Sequence, residues 1–463
     1  MKSLNQMIIM NGGGSMSRCF LGMVSFFALL CVMGCCTVLG EEHTILDDYA
    51  ISQADYGTFP QALSMDADLS LPENMEAFDA WWESLETRQN AEIENPDGLK
   101  RFVENSSRSL LKSEIPENMI YSPLSLWLEL DLIAQLTTGQ SRSQILDVLG
   151  EETLESLSAQ TESLWRSQYW DDGKAACIPG VSLWLDQKVG IDEGDVSELS
   201  TEHMTSVFHG DVRNPEYNHA LQYWINQMTR GQLDEAVSSL QFDQNALLSA
   251  ASTLYCNGRW ETPFLVEDTS PSVFHAPDND IELDFLNARD RDTLYYGTGF
   301  TACIRGVGES QKAAFVLPDS TTSIEELVED SEVFRFLDSP ETWENQEELM
   351  VTFSMPKLDL ESELSLNSSL ESMGIVDIFS EEKADFSEIL VSNDPLSVSS
   401  LLQLARVKMD EEGIEAAAVT ISNVLGALLM PEKEVDFILD RPFMFALLGP
   451  KNVPLFIGAV YYP

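Results

Sequence analysis

Side chains able to do chemistry are sparse in this chain, carboxylates apart. Its 463 residues include 5 His and 7 Cys against 77 Asp and Glu. The histidines are His43, His203, His209, His219 and His275. His203 and His209 are near neighbours but lack a carboxylate or cysteine at metal-ligand spacing. There is no HExxH zinc helix, no GxSxG nucleophile elbow and no GxxxxGK[ST] phosphate loop. Carboxylate pairs are so abundant that none identifies an acid and base. A Ser/His/Asp triad assembles in space, so spacing alone leaves it open. The expectation is a protein that is not an enzyme and holds no metal or cofactor.

One segment is chemically unusual. Residues 410–431 read DEEGIEAAAVTISNVLGALLMP, and Glu415 is the one charge among the 17 residues between Gly413 and Pro431. The Ala run suits a helix, while Val419, Thr420, Ile421 and Val424 suit a strand equally. At period 2, one face is Ile414, Ala416, Ala418, Thr420, Ser422 and Val424, small apart from its ends. A strand with such a face can enter an existing sheet at little steric cost.

The elements that would position this segment mix both periods. Residues 122–136 read as a buried helix capped by Ser122 with Pro123 at the first turn, and 144–149 continue helical. Residues 247–255, 313–317, 350–354 and 435–439 read as strands. Residues 443–448 and 455–462 are near-continuous apolar strands, buried on both faces. Helices fall early and strands late, which predicts an α+β fold. Residues 41–97 form an acidic lead-in with a helical patch at 77–88, where Trp81 and Trp82 are expected to pack onto the domain. Apolar periodicity then runs unbroken through 98–463, with no repeat and no later linker.

Charge and cysteine usage bound the surroundings. The formal net charge is −51, with 11 Lys among 26 basic residues. That balance repels phosphate backbones, anionic lipid and heparin-like polyanions, so neither nucleic acid nor a heparin-type cofactor is an expected partner. It is compatible with a salty medium that screens self-repulsion, and equally with an ordinary acidic secreted protein.

Residues 19–39 are an uncharged apolar stretch after Arg18 and before Glu41-Glu42. They read as a signal peptide within 1–40, cut before Glu41. Val32-Met33-Gly34-Cys35 offers the alternative of lipidation at Cys35, and an uncleaved anchor is a third. Each places the body outside the cytoplasm, secreted or tethered to the outer cell surface, with membrane contact only through this segment. Cys177, Cys256 and Cys303 remain in the body. They are expected as buried thiols, though an oxidising compartment permits one disulfide among them. Asn105 and Asn367 head glycosylation triplets.

An ordered series of motifs from about Leu99 to Pro463 resembles the serpin family. Asn118-Met-Ile-Tyr-Ser-Pro-Leu-Ser125 and Thr138-Gly-Gln-Ser-Arg-Ser-Gln144 resemble its helix B region, and Trp224-Ile-Asn-Gln-Met-Thr229 a helix F segment. Asn257-Gly-Arg-Trp-Glu-Thr-Pro-Phe264 resembles its breach motif. Asp410-Glu-Glu-Gly-Ile-Glu-Ala-Ala-Ala418 resembles its reactive-loop hinge. Asp440-Arg-Pro-Phe443 and Leu455-Phe-Ile-Gly458 resemble its carboxy-terminal signature.

The resemblance implies about nine helices, three β-sheets and an exposed reactive-centre loop. It implies a monomeric, single-use inhibitor: a serine protease attacks the loop, forms an acyl-enzyme, and is trapped when the loop inserts as an extra strand. The hinge would be Glu412, Gly413, Ile414, Glu415, Ala416, Ala417 and Ala418. Counting from Gly413 puts the reactive bond at Ala427–Leu428, with Val424, Leu425 and Gly426 adding specificity. These small and apolar residues suit an elastase-like or subtilisin-like protease. Ser122, Ser125, Ser252, Gln403 and Trp260 fall in the sheet-opening region. Ile414 replaces the family's usual Thr or Ser, Ser252 its Asn and Gln403 its His. These departures support an alternative, a non-inhibitory binding or structural protein of the same fold whose loop does not insert.

Overall fold

The computed structural model describes residues 43–64, 67–112, 115–387, 395–414 and 433–463. Readings on Cys35, Glu415, Ala416, Ala417, Ala418, Val424, Leu425, Gly426, Ala427 and Leu428 lie outside the described residues. Residues 44–463 form one compact unit, so the lead-in belongs to the same body as the rest.

The first sheet runs in the order β1 (Ala50–Ser52), β5 (Thr205–Gly210), β4 (Ala176–Asp186), β6 (Leu248–Arg259), β14 (Gly413–Ile414), β13 (Val398–Met409) and β12 (Leu358–Ser365). β3 (Trp170–Asp171) adds to β4. The second runs β15 (Glu434–Ile438), β11 (Gln346–Pro356), β8 (Asp280–Gly297), β9 (Phe300–Val307), β10 (Gln311–Pro318), β16 (Phe443–Leu448), β17 (Pro454–Val460) and β2 (Met119–Tyr121), with β7 (Ser270–His275) on β8.

The fold is α+β. The three expected sheets connect as two among the described residues, because the 18-residue β8 pairs with β7 at one end and β9 at the other. There are eleven α-helices among the described residues against about nine expected. The excess includes the lead-in helix and a four-residue turn at Asp234–Val237.

The helices that matter for the site are α1 (Pro72–Asn90), α2 (Pro96–Leu110), α3 (Pro123–Leu136), α4 (Gly139–Leu149), α5 (Leu154–Gln168), α6 (Glu193–Glu202) and α7 (Pro215–Met228). In α3 every residue but Gln135 is buried, as an all-round apolar helix requires. Ser122 caps it, accepting a hydrogen bond from the Ser125 amide. It packs on the core face of the first sheet. The opposite face carries α7, sealed by Trp184, Phe208, Tyr217 and Trp224.

The lead-in covers an edge and fills a corner. β1 pairs with β5, protecting a sheet edge that would otherwise be open. Along α1, Trp81 is half-buried and donates to Asp172, and Leu85 and Arg88 are buried. Trp82 differs from expectation and is 45% exposed. One residue is about 100° of helix turn, which swings it off the stripe formed by 81, 85 and 88.

Candidate functional site

The odd segment begins at a split in the first sheet. β6 and β13 are parallel neighbours, paired directly from Val398↔Leu248 to Leu404↔Thr253. Above that point β14 lies between them. Gly413 and Ile414 pair antiparallel with Arg259 and Gly258, and Ile414 also pairs antiparallel with Met409. An antiparallel strand has thus started to enter between two parallel ones.

Gly413 is required here by space rather than by backbone freedom. Its φ is not positive, but a Cβ added to it would sit 2.2 Å from the Gly258 carbonyl oxygen. Ile414 is buried, 2% exposed. Its apolar side chain joins the core cluster, where a Thr or Ser would bring a hydroxyl needing a partner.

A collar of contacts holds the entry point. Trp260 is buried; its amide donates to the Glu412 carbonyl at 3.0 Å and its indole N–H to the Asp410 carbonyl at 2.8 Å. The Phe264 amide donates to the Glu411 carbonyl. The Glu411 carboxylate accepts from Thr269 and pairs with Lys357, both at 2.8 Å. Burial raises its pKa, but the Lys357 and Thr269 contacts outweigh that and hold it below the usual range. Arg259 lies 3.6 Å from Glu412.

Lower down, the structure brings together four residues singled out in sequence. Ser252 and Gln403 are register partners across the β6–β13 seam. Gln403 bridges to α3: its Oε1 accepts from the Ser122 amide at 2.7 Å and its Nε2 donates to the Ser122 carbonyl at 3.0 Å. Ser125 completes the group through the Ser122 cap. Trp260 does not join them; it belongs to the collar above.

A fifth member was not anticipated. Glu129 of α3 is fully buried, and the Ser252 hydroxyl lies 2.9 Å from its Oε2. Burial pushes its pKa up to about 8, against the pull of hydrogen bonds from Ser252 and the Leu402 amide. A carboxyl thus touches both strands of the seam from below. The signal was present as an acid inside the Leu-rich run of α3. Two residues on, Asp131 is also buried and holds His203 at 2.8 Å.

Of the other candidates, Asn105 is exposed on α2. Asn367 is half-buried, and its amide already serves Ser399 and Leu401. Cys177, Cys256 and Cys303 are all buried. Among the described residues no group of three His, Cys, Asp or Glu is arranged to hold a metal, and no helix is long and apolar enough to cross a membrane.

Known proteins are similar to this chain in sequence and in fold. Residues 98–463 fit the family described as Serpin (serine protease inhibitor). Alpha-1-antiproteinase of Callosciurus caniceps is 25% identical over 376 residues, spanning 79% of this chain and 88% of that protein. Putative serpin-Z6C of Oryza sativa subsp. japonica is 26% identical over 392 residues, spanning 77% and 94%. Among solved structures, the native thermophilic serpin Tengpin superposes with a TM-score of 0.73 at 21% identity, covering 81% of this chain and 95% of that one. Human thyroxine-binding globulin complexed with its hormone gives 0.72 at 19%, covering 80% and 99%. With its family signature spanning 98–463 and the split sheet in place, the chain belongs to the serpins, the serine protease inhibitor family.

Proposed function

We propose that this serpin is a suicide-substrate inhibitor of an extracellular serine protease of elastase-like or subtilisin-like specificity. The protease cleaves at Ala427–Leu428, its serine becomes acylated by Ala427, and the loop inserts into the first sheet before the ester is hydrolysed. Val424, Leu425 and Gly426 fill the neighbouring subsites. A trypsin-like protease is disfavoured, because no Lys or Arg lies between Glu412 and Lys433. The amino-terminal segment delivers the chain outside the cytoplasm.

The observation that carries this reading is the docked pair Gly413–Ile414, hydrogen-bonded between β6 and β13. Continuing its register down β6 would place Ala416 opposite Cys256, Ala418 opposite Leu254 and Thr420 opposite Ser252. Opposed residues on antiparallel strands share a face. The small residues would therefore enter the core face, where Cys256 and Leu254 are buried. Glu415, the one charge, would take the other face opposite the partly exposed Asn257.

One observation favours the second reading, a binding or structural serpin whose loop does not insert. The seam is held shut by Gln403 through both backbone groups of Ser122 and by Glu129 through Ser252.

The test is a gel. Residues 41–463 are mixed with pancreatic elastase or subtilisin, boiled in SDS and examined for a band near the summed mass. The expected result is that band, with the released fragment beginning at Leu428. Cleavage in the loop by both proteases without any band would overturn the inhibitory reading.

A further inference from the structure

The upper half of the first sheet holds a feature that protease trapping does not use. Cys177 and Cys256 are register partners in the antiparallel β4–β6 pair. Their sulfurs are 3.6 Å apart, and both residues are buried. Opposed residues in such a pair have Cα atoms about 4.5–5.5 Å apart, inside the roughly 4.4–6.8 Å that a disulfide spans. Side-chain rotation alone can close the remaining gap. Cys303 cannot compete, since it sits on β9 of the second sheet with its thiol against Asp292. Arg88, delivered by α1 of the lead-in, is buried over the ring of Trp170, which is the register partner of Cys177 on β3.

We propose that Cys177 and Cys256 form a redox modification site, a cross-strand disulfide joining β4 to β6 beside the point of loop entry. The oxidant is a small disulfide of the glutathione type. One cysteine thiolate attacks it, forming a mixed disulfide and expelling one carrier thiolate. The second cysteine then attacks the protein sulfur of that mixed disulfide and expels the other. Two electrons pass from the cysteines to the small disulfide, and the two cysteine protons end on the two carrier thiols. Because both sulfurs are sealed in the closed sheet, exchange takes place as the chain folds.

The position gives the bond a consequence. Cys256 lies two residues before Gly258, which pairs with Ile414. The disulfide would lock the receiving strand to its outer neighbour and leave the β6–β13 seam uncrossed. It closes a long loop, as the two cysteines are 79 residues apart, and long loops gain most from cross-linking.

The full chain is refolded from denaturant in a reduced/oxidised glutathione buffer and, separately, in excess reductant. Each sample is unfolded in guanidinium with iodoacetamide, digested and mapped by mass spectrometry. The expected oxidised sample gives the Cys177 and Cys256 peptides as one cross-linked species, lighter by two hydrogens, with Cys303 alkylated. Its thermal midpoint exceeds that of the reduced sample, and the difference vanishes in Cys256→Ser. Full alkylation of both cysteines in the oxidised sample, a stable glutathione adduct at either, or linkage of either to another cysteine would each overturn the proposal. The map of the unmutated chain decides the matter even if Cys256→Ser fails to fold.

Discussion

Glu129 is buried under the seam with one oxygen against Ser252 and with its proton affinity raised by desolvation. The sign of its contribution follows. Between the ordinary carboxylate range and about pH 8, the folded protein keeps a proton that the unfolded chain has released. Stability therefore falls as pH rises across that window, and the loss is complete above it. Glu129→Gln keeps the size and the link to Ser252 but removes the titration. The variant is expected to show a flatter dependence of urea midpoint on pH, and to be more stable above pH 8 by an amount on the order of 5 kcal/mol. His203 adds a fall of the same sign. Burial opposes its charge, but the hydrogen bond and charge of Asp131 prevail and raise its pKa. The comparison with the variant cancels that background. Equal slopes in the two proteins would show that Glu129 is ionised in the fold.

At the scale of elements, the insertion reading makes its demand on backbone hydrogen bonds. Ala416 would sit opposite Cys256 with strands on both sides, and a proline there offers no N–H and fixes φ. Ala416→Pro is therefore expected to be cleaved at the same bond while yielding no SDS-stable complex. Undiminished complex formation would exclude insertion as the trapping step. Much of this scale was legible in the sequence. The 443–448 strand agrees residue for residue with β16, and the helix predicted over 122–136 is α3 with its Ser122 cap. Runs of one period declare their type locally. Strand pairing does not, since it depends on register between distant segments. The Gln403–Ser122 bridge joins residues 281 apart, and spacing alone could not suggest it. The same holds for the Cys177–Cys256 pair. The need for a glycine at 413 likewise comes from the closeness of the Gly258 carbonyl, a contact between distant segments that spacing does not show. Glu129 is of the same kind, since an acid in an apolar helix gives no hint of its partner until the sheet is laid against it.

At the scale of the whole molecule, the closed sheet is an incomplete one. β6 and β13 pair in parallel below Thr253 and Leu404, and among the described residues two of a further strand, Gly413 and Ile414, lie between them above. Complete insertion would replace that single parallel ladder with two antiparallel ones along roughly ten residues. At about 1 kcal/mol net per added hydrogen bond, the gain is on the order of 10 kcal/mol. It would be delivered only after cleavage, because the intact loop is tethered to β15 through Lys433 and Glu434 at its far end. The expected consequence is a rise of at least about 10 °C in the thermal midpoint after a single cut at Ala427–Leu428. The measurement compares intact and cleaved protein at one fixed salt concentration, since a chain with a net charge of −51 is itself salt-sensitive. Cleaved Ala416→Pro serves as the control and should melt with the uncut protein. If the cleaved unmutated chain also melts with the uncut one, the loop has stayed outside the sheet. The first sheet would then be a rigid scaffold, and the protein would belong with the serpins that bind rather than trap.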